Sequence, residues 1–407
     1  MTKKQELEQR LEEFKAMGLR LNMARGKPCK EQVDLSMPMM DVLNSSASFE
    51  CEDGIDCRNY GVLTGIEECK RLLGDMIEID PKNIIIFGNS SLQVMYGCLS
   101  RSMTHGVLGS TPWMKLDKPI KWLCPVPGYD RHFSMTEHFG IEMINIPMKK
   151  DGPDMDMIEE LIKDEYVKGI WCVPKYSNPD GTTYSDEVVK RFARLKPAAK
   201  DFRIYWDNAY SVHHLYKDRQ DYLLEILHEC ELAGNPDLVY KFTSTSKITF
   251  PGSGIAALAT SQRNIEEIQR QLSYETIGFD KVNQLRHVRF FKNLDGIIAQ
   301  MDKHADILRP KFEIVENIME EMIKDVATWS KPNGGYFITL NVKGHAKEVI
   351  QRCKECGVVL TEAGCAYPYH NDPDNAVIRI APSYPSLKEL ELATRILCLC
   401  VLIETAE

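Results

Sequence analysis

The feature that most constrains the fold is an alternation of short apolar runs with helical stretches through the middle of the chain. The apolar runs are rich in Ile, Val, Trp and Tyr and cover residues 83–87, 120–125, 169–173, 203–206 and 238–242. Between several of them lie amphipathic stretches, at 91–103 and 185–195 for example. This is the βαβ rhythm of a mostly parallel sheet with helices on both faces. The sequence therefore predicts an α/β fold for its large central part.

The pattern changes after about residue 280, which predicts a second, smaller α+β domain. A long helical pattern covers 293–323, with Pro310 predicting a kink or break. Further on, two predicted strands flank a helix and a last helix closes the chain, at 335–342, 347–356, 376–380 and 387–403. A chain of 407 residues also exceeds what one compact core usually holds. The expected division is an N-terminal arm and part of the small domain at 1–45, a large domain at 46–290 and a small domain at 291–407.

Composition excludes several classes of function. The chain has 50 Lys+Arg against 59 Asp+Glu, a formal charge of −9, which argues against nucleic acid as the principal partner. The longest apolar run, 396–403, is far short of the roughly twenty residues that cross a bilayer, and the charged N-terminus lacks the apolar core of a signal peptide. We therefore expect no membrane association and a cytoplasmic location.

The thirteen cysteines do not form a regular disulfide framework, so reduced thiols are expected. Cys353 and Cys356 have a metal-like spacing, but no second pair accompanies them, and no metal site is predicted.

Polar residues stand just beyond several of the predicted strands, where ligands gather in open parallel sheets. Gly88-Asn89-Ser90-Ser91 precedes a predicted helix and offers backbone N–H groups and hydroxyls to an anion, although taken alone it is an ordinary N-cap. Asp207 ends a buried strand, where a carboxylate needs a cation or a donor. Lys247 follows another strand, and taken alone it would be a surface lysine. Together these groups are the working parts of a pyridoxal phosphate site.

Five ordered strings carry a resemblance to a known family. They are PGYDRH (127–132), YSNPDG (176–181), WDNAY (206–210), STSK (244–247) and VIRIAPSYP (377–385). With these strings the chain resembles the class I/II, fold-type I aminotransferases over nearly its whole length. The strings ARGKP and WDNAY are most similar to a bacterial aspartate-aminotransferase-like subgroup. The resemblance implies pyridoxal 5′-phosphate as the cofactor and transfer of an amino group, with L-aspartate as donor and 2-oxoglutarate as acceptor.

The resemblance also implies roles for residues around the cofactor ring. Lys247 would form the Schiff base with the cofactor aldehyde and then move the proton between Cα and C4′. Asp207 would pair with the protonated pyridine nitrogen. Asn178 and Tyr210 match the donors to the ring hydroxyl oxygen, and Tyr129 would stack on the ring.

The phosphate group poses a question, because the family commonly has an arginine eight residues after the Schiff-base lysine. That position is Ile255 in this chain. The phosphate is then expected to rely on the hydroxyls of Ser90, Ser91, Ser244 and Ser246 and on the helix N-terminus, or on a cation from elsewhere in the sequence.

Substrate contacts and assembly follow from the same resemblance. Arg379 matches the arginine that grips the substrate α-carboxylate, and Gly26 and Asn178 match contacts near it. Tyr60 matches a tyrosine that reaches the cofactor phosphate of a neighbouring subunit, which implies a homodimer with shared active sites; the alternative is a core tyrosine.

Several alternatives stay open at this point. A dicarboxylate substrate needs a second cation, for which the candidates are Arg25, Lys27, Lys281 and Arg286. A β-eliminating lyase would use the same cofactor and fold, and the ligand-sensing half of a transcription regulator would use the fold without catalysis.

Overall fold

The computed structural model describes residues 2–406 and contains three sheets and thirteen α-helices within that range. The strands are β1 Leu21–Asn22, β2 Ile84–Ile86, β3 Lys121–Val126, β4 Glu142–Lys149, β5 Gly152–Pro153, β6 Val167–Cys172, β7 Arg203–Asp207, β8 Val239–Ser244, β9 Ala256–Ala259, β10 Thr328–Trp329, β11 Ile338–Asn341, β12 Val358–Val359 and β13 Val377–Ile380. The helices are α1 Lys3–Ala16, α2 Lys30–Asp34, α3 Glu67–Ile77, α4 Ser91–His105, α5 Asp130–His138, α6 Met155–Leu161, α7 Asp186–Ala193, α8 Ile226–Leu232, α9 Gln262–Leu272, α10 Lys281–Phe291, α11 Leu294–Ile323, α12 Ala346–Glu355 and α13 Leu387–Glu404.

The large sheet has eight strands in the order β2-β9-β8-β7-β6-β3-β4-β5. The pairs β8–β7, β7–β6, β6–β3 and β3–β4 are parallel, whereas β9 runs antiparallel to both β8 and β2, and β5 runs antiparallel to β4. All five predicted apolar runs are strands of this sheet. The predicted mostly parallel sheet is therefore confirmed, with antiparallel strands at both edges.

Both faces of the sheet are covered, because successive residues of its strands enter different cores. On β3, Trp122 packs in one core and Leu123 in the other. One core includes buried residues of α3, α6, α7 and α8, and the other includes buried residues of α4, α5 and α9. Strands buried on two faces read as continuous apolar runs, which is why these strands stand out in the sequence.

The smaller α+β part contains the antiparallel sheet β10-β11-β13 and the parallel pair β1–β12. A third core joins α11, α12, α13 and α1 to these strands. The predicted break at Pro310 is wrong, since α11 continues through it for 30 residues. Leu308 and Phe312 are buried on either side of Pro310, and their packing outweighs the backbone hydrogen bond that a proline removes.

The proposed domain boundaries at residues 45 and 290 stay a prediction. The third core also takes in Val173, Tyr176 and Tyr210 from the central part of the chain. Side chains of the central part therefore pack directly against the smaller part. Within residues 2–406, no helix has the length and apolar composition needed to cross a membrane.

Candidate active site

The polar side chains predicted at the strand ends lie together at the carboxyl ends of the central parallel strands of the large sheet. Asp207 is the last residue of β7, which lies between β6 and β8. Asn178 follows β6, and Lys247 follows β8 in a turn. Because parallel neighbours end at the same edge, the strand order alone puts Asp207 at the centre of the group.

Asp207 is buried, with 4 % of its surface exposed, and its two carboxylate oxygens have different surroundings. Oδ2 lies 3.1 Å from Nε2 of His132, which is itself buried and stacks on the Trp171 ring at 4.3 Å. Oδ1 has no hydrogen-bond partner among the described residues. A buried carboxylate oxygen without a donor is costly, so this atom fits a ligand that brings an N–H group of positive charge.

His132 was missed at the level of sequence, although it ends the quoted string PGYDRH. It lies three residues after Tyr129 at the start of α5, and the two rings meet edge to face at 4.9 Å. The helical spacing puts both residues on one face of α5. This spacing between Tyr129 and His132 was the sequence signal from which His132 could have been identified as a site residue.

The amine of Lys247 lies in aromatic and apolar surroundings. Its Nζ is 5.1 Å from the centroid of the Tyr210 ring and 5.9 Å from that of Tyr336. Burial lowers the pKa of Lys247, while the nearby carboxylate of Asp207 acts in the opposite direction. A lowered pKa increases the share of neutral amine, which is the nucleophilic form needed to condense with an aldehyde.

Two further rings line the same space. Tyr210 is buried, and burial together with Tyr129 and Asp207 raises its pKa well above the usual value, so it remains a hydroxyl donor. His213 is also buried, packs edge to face on Tyr210, and has no hydrogen-bond partner at either ring nitrogen within residues 2–406. Burial and then the charge of Lys247 hold the pKa of His213 well below its usual value. No sequence pattern marked this neutral histidine as part of the site.

The predicted binding site for the cofactor phosphate, the phosphate seat, consists of the N-terminus of α4 and the turn after β8. Ser90 is the N-cap of α4, yet its side chain makes no capping hydrogen bond. Ser244 Oγ donates to Ser246 Oγ at 3.1 Å, and Ser246 Oγ donates to the Asn89 backbone oxygen at 3.1 Å. The hydroxyls after β8 therefore meet the loop before α4, and the uncapped N–H groups of that helix fit an anion.

Arg379 of β13 reaches the same edge from the smaller part of the molecule. It is 7 % exposed and lies over the Phe337 ring, with its Cζ 5.0 Å from the ring centroid. Its NH1 donates to Asp130 Oδ1 at 2.8 Å and to Asn178 Oδ1 at 3.4 Å, and its NH2 donates to Thr361 Oγ1 at 3.3 Å. Asp130 was not predicted as part of the site.

Gly26 contributes to this region through its lack of a side chain. A Cβ atom at this position would lie 2.3 Å from Cζ of Phe337, on the ring that supports Arg379. The neighbouring Ala24 oxygen accepts a hydrogen bond from Thr361. Only glycine lets this segment come so close to the Phe337 ring.

The four candidate cations lie in different places. Arg25 and Lys27 flank Gly26 and are exposed; Lys27 Nζ lies 3.9 Å from the centroid of the Tyr384 ring. Lys281 is buried and donates to the Gly61 oxygen at 2.9 Å. Arg286 reaches the turn after Lys247, as described next.

Arg286 NH2 donates to Ser253 Oγ at 2.9 Å and to Asn283 Oδ1 at 2.5 Å. Ser253 precedes Gly254, and a Cβ on Gly254 would lie 3.4 Å from the Ser246 backbone nitrogen. Arg286 Nε is buried and without a hydrogen-bond partner in the described chain. This guanidinium thus lies beside the turn that carries the phosphate-seat serines.

Tyr60 is 80 % exposed, so its interpretation as a core residue is wrong. Tyr274 and Ile277 are exposed as well, at 90 % and 61 %. The two segments touch, since a Cβ on Gly278 would lie 2.5 Å from the Gly61 oxygen. Tyr60, Tyr274 and Ile277 are thus exposed side chains on two segments that touch.

All thirteen cysteines are free and buried. Within residues 2–406 no cluster of three His, Cys, Asp or Glu side chains is arranged to hold a metal ion.

The sequence and the structure are similar to known proteins along almost their full length. The profile of the family described as aspartate amino-transferase matches residues 2–407. The chain is 43 % identical to an aspartate aminotransferase of Corynebacterium glutamicum over 99 % of this chain and 94 % of the relative. The crystal structure of an aspartate transaminase from the same organism superposes with a TM-score of 0.95 at 43 % identity, covering 98 % of this chain and 95 % of the other. A putative aminotransferase from Corynebacterium diphtheriae gives a TM-score of 0.95 at 44 % identity, with 98 % of each chain covered.

Proposed function

Since the chain belongs to the aspartate aminotransferase family, whose members are pyridoxal-phosphate-dependent enzymes, we propose that it transfers the amino group of L-aspartate to 2-oxoglutarate. The observation that carries the proposal is the buried Asp207 Oδ1, which has no hydrogen-bond partner within residues 2–406 and lies at the same strand ends as Lys247, with Arg379 nearby. A protonated pyridine nitrogen supplies the donor that this oxygen lacks. The site therefore fits the cofactor of the family.

When bound at Lys247, the cofactor supplies an aldehyde carbon and an electron-accepting ring that makes the proton on the substrate α-carbon acidic. Asp207 would accept the pyridine N–H at Oδ1, while His132 fixes the other oxygen. Asn178 and Tyr210 would orient the ring through its hydroxyl oxygen. Lys247 Nζ, freed from the cofactor by the substrate amine, would move the proton from the α-carbon.

Substrate selection rests on carboxylate binding. Arg379 would grip the α-carboxylate, and we propose Arg25 for the distal carboxylate of aspartate. Arg25 is exposed, has no side-chain partner among the described residues, and follows Ala24, which is bonded to the same Thr361 as Arg379. Loss of activity with aspartate but not with alanine in an Arg25→Gln variant would support this role, and equal loss with both donors would refute it.

The phosphate of the cofactor would bind at Ser90, Ser91, Ser244 and Ser246, and we propose Arg286 as the cation in place of the missing arginine. Arg286 Nε is buried and has no hydrogen-bond partner among the described residues. Arg286 NH2 donates to Ser253, which lies next to Gly254, and Gly254 packs against Ser246. The hydroxyls alone carry no charge, whereas the phosphate is a dianion.

A spectrum and an assay test the proposed function. The purified protein with pyridoxal phosphate is expected to show an absorption band of lysine-bound cofactor that borohydride abolishes and that is absent in Lys247→Ala. The exposed Lys163→Ala is the matched control. A coupled assay with aspartate, phenylalanine and leucine identifies the donor, and a parallel assay for pyruvate and ammonia release from cysteine detects lyase chemistry. Absence of the band, or better rates with phenylalanine or leucine, would overturn the proposal.

We further propose that the enzyme is a homodimer in which Tyr60 reaches the partner's cofactor phosphate. The exposure of Tyr60 beside Tyr274 and Ile277 supports this, because an exposed apolar surface of this kind is typical of an interface. Light scattering gives the mass, and hybrids of Tyr60→Ala and Lys247→Ala chains test the sharing. Shared sites restore one intact site per hybrid, whereas unshared sites leave the hybrid no more active than the Tyr60→Ala dimer.

A further inference from the structure

Arg379, the residue proposed to bind the substrate α-carboxylate, is already paired with a carboxylate of its own chain. Its NH1 nitrogen carries two N–H groups, and both have acceptors, in Asp130 Oδ1 at 2.8 Å and in Asn178 Oδ1 at 3.4 Å. One N–H of NH2 is directed to Thr361 Oγ1 at 3.3 Å. The end of the guanidinium that offers two parallel donors is therefore partly taken.

The remaining donors of Arg379 are Nε and one N–H of NH2, at the side of the guanidinium. Nε is buried and has no hydrogen-bond partner within residues 2–406. The Phe337 ring covers one face of the guanidinium. A carboxylate that approaches the guanidinium end-on forms its two parallel hydrogen bonds with NH1 and NH2. It can do so only if Asp130 gives up its N–H.

Asp130 is placed so that it can leave. It is the first residue of α5, and its side chain is 28 % exposed, whereas that of Arg379 is 7 % exposed. An Asp turned outward from this position remains stabilised by the N-terminal end of the helix and by water. Besides Asp130, the titratable groups near Arg379 include Cys365, whose pKa burial raises to about 11, and the hydroxyls of Tyr129 and Tyr210. Asp130 is thus the anion that neutralises Arg379 before substrate arrives.

We propose that Asp130 is an internal substitute for the substrate α-carboxylate, and that substrate binding exchanges one carboxylate for the other on Arg379. The proposal rests on the proposed function, because it takes Arg379 as the α-carboxylate site. Asp130 keeps a buried guanidinium paired while the site is empty, and it competes with every carboxylate ligand. It is a positioning residue that sets the affinity for substrate without taking part in the proton transfer.

The test compares binding of succinate, a dicarboxylate without an amino group, to the cofactor-loaded enzyme and its variants by titration calorimetry. Asp130→Asn removes the competing charge, so the dissociation constant of succinate is expected to fall by about tenfold, the ratio that corresponds to roughly one hydrogen bond to a charged group. The Michaelis constants of both substrates fall with it, and kcat does not rise. Asp130→Glu keeps the competing charge and is expected to stay near the wild-type affinity. Asp186→Asn, at the first position of α7, is the matched control.

Weaker or unchanged succinate binding in Asp130→Asn, with the wild-type cofactor spectrum retained, would overturn the exchange; weaker binding would mean that Asp130 holds Arg379 in place for the substrate. A failure of the proposed function looks different. In that case the wild type itself lacks transamination, and Arg379→Lys binds succinate as well as the wild type does.

Discussion

Replacing Gly26 by alanine tests whether close packing on the Phe337 ring sets the position of Arg379. The added Cβ would lie 2.3 Å, 2.8 Å and 3.0 Å from Cζ, Cε1 and Cε2 of Phe337, well inside normal contact distance. The ring or the Gly26 segment must move by about 1 Å to restore ordinary carbon contacts. Arg379 lies on that ring, and its hydrogen bonds depend on the ring staying in place.

The expected magnitude follows from the cost of overpacking a well-packed site, about 1–3 kcal/mol. If the displacement falls on the carboxylate site, the dissociation constant of succinate rises by about 5- to 150-fold, because each 1.4 kcal/mol is about tenfold. The affinity for pyridoxal phosphate is expected to stay unchanged, since the proposed phosphate seat lies on the large sheet. Titration calorimetry with succinate and with the cofactor measures both constants on the same preparation.

The controls separate steric displacement from other effects of alanine. Gly252→Ala adds a Cβ with nothing within 4 Å and is expected to change neither constant. Gly26→Ala combined with Phe337→Leu creates space for the new methyl group and is expected to recover part of the succinate affinity. Succinate binding that is unchanged in Gly26→Ala, or a loss of cofactor affinity as large as the loss of succinate affinity, would refute the reasoning.

Three further predictions concern buried charge. His132→Phe keeps the aromatic stacking but removes the hydrogen bond to Asp207, so the free energy of unfolding of the cofactor-free protein is expected to fall by about 1.5–3 kcal/mol in urea, and an unchanged value would refute the bond. Burial lowers the pKa of Lys175 from 10.5 to about 8, so between these pH values only the unfolded chain keeps the proton on Lys175. The free energy of unfolding of the wild type should therefore rise across this pH range, relative to that of Lys175→Met, by up to about 3 kcal/mol. Parallel curves of unfolding free energy against pH for the two proteins would contradict the shift. Arg286→Gln should weaken binding of pyridoxal phosphate about tenfold or more and leave the affinity for pyridoxal unchanged, with Arg289→Gln as the control. Equal effects on the affinities for both ligands would exclude a contact between Arg286 and the phosphate.

The sequence predicted the parts of the site that lie directly after strands. Asp207 ends one apolar run and Lys247 follows another, and these runs are continuous because their strands are buried on both faces of the sheet. The order of strands in the sheet was not predictable in the same way, because β9 is inserted antiparallel between β2 and β8. Local pattern reports whether a segment is buried and does not report which segment is its neighbour.

The pairing of Asp130 with Arg379 shows the same limit more sharply. The two residues are 249 positions apart, and no local sequence pattern connects one to the other. Asp130 in the first turn of α5 is an ordinary helix-start residue. The carboxylate of Asp130 meets Arg379 only because β13 docks against the large part. The sequence pattern therefore could not identify Asp130 as a competing carboxylate.

The partners of the cations near the site explain how an acidic chain can hold a phosphate dianion. Lys247 faces the carboxylate of Asp207, and Arg379 is paired with Asp130, so both positive charges are already countered. Arg286 differs, since its hydrogen-bond partners in the described part of the chain are Ser253 and Asn283, both neutral, with Met40 beside it. A dianion is attracted most by a cation whose charge is not already neutralised nearby. If a phosphate binds at the N-terminus of α4, Arg286 is therefore a cation beside it whose charge is not neutralised, and its removal should affect binding of the phosphate group more than binding of the ring.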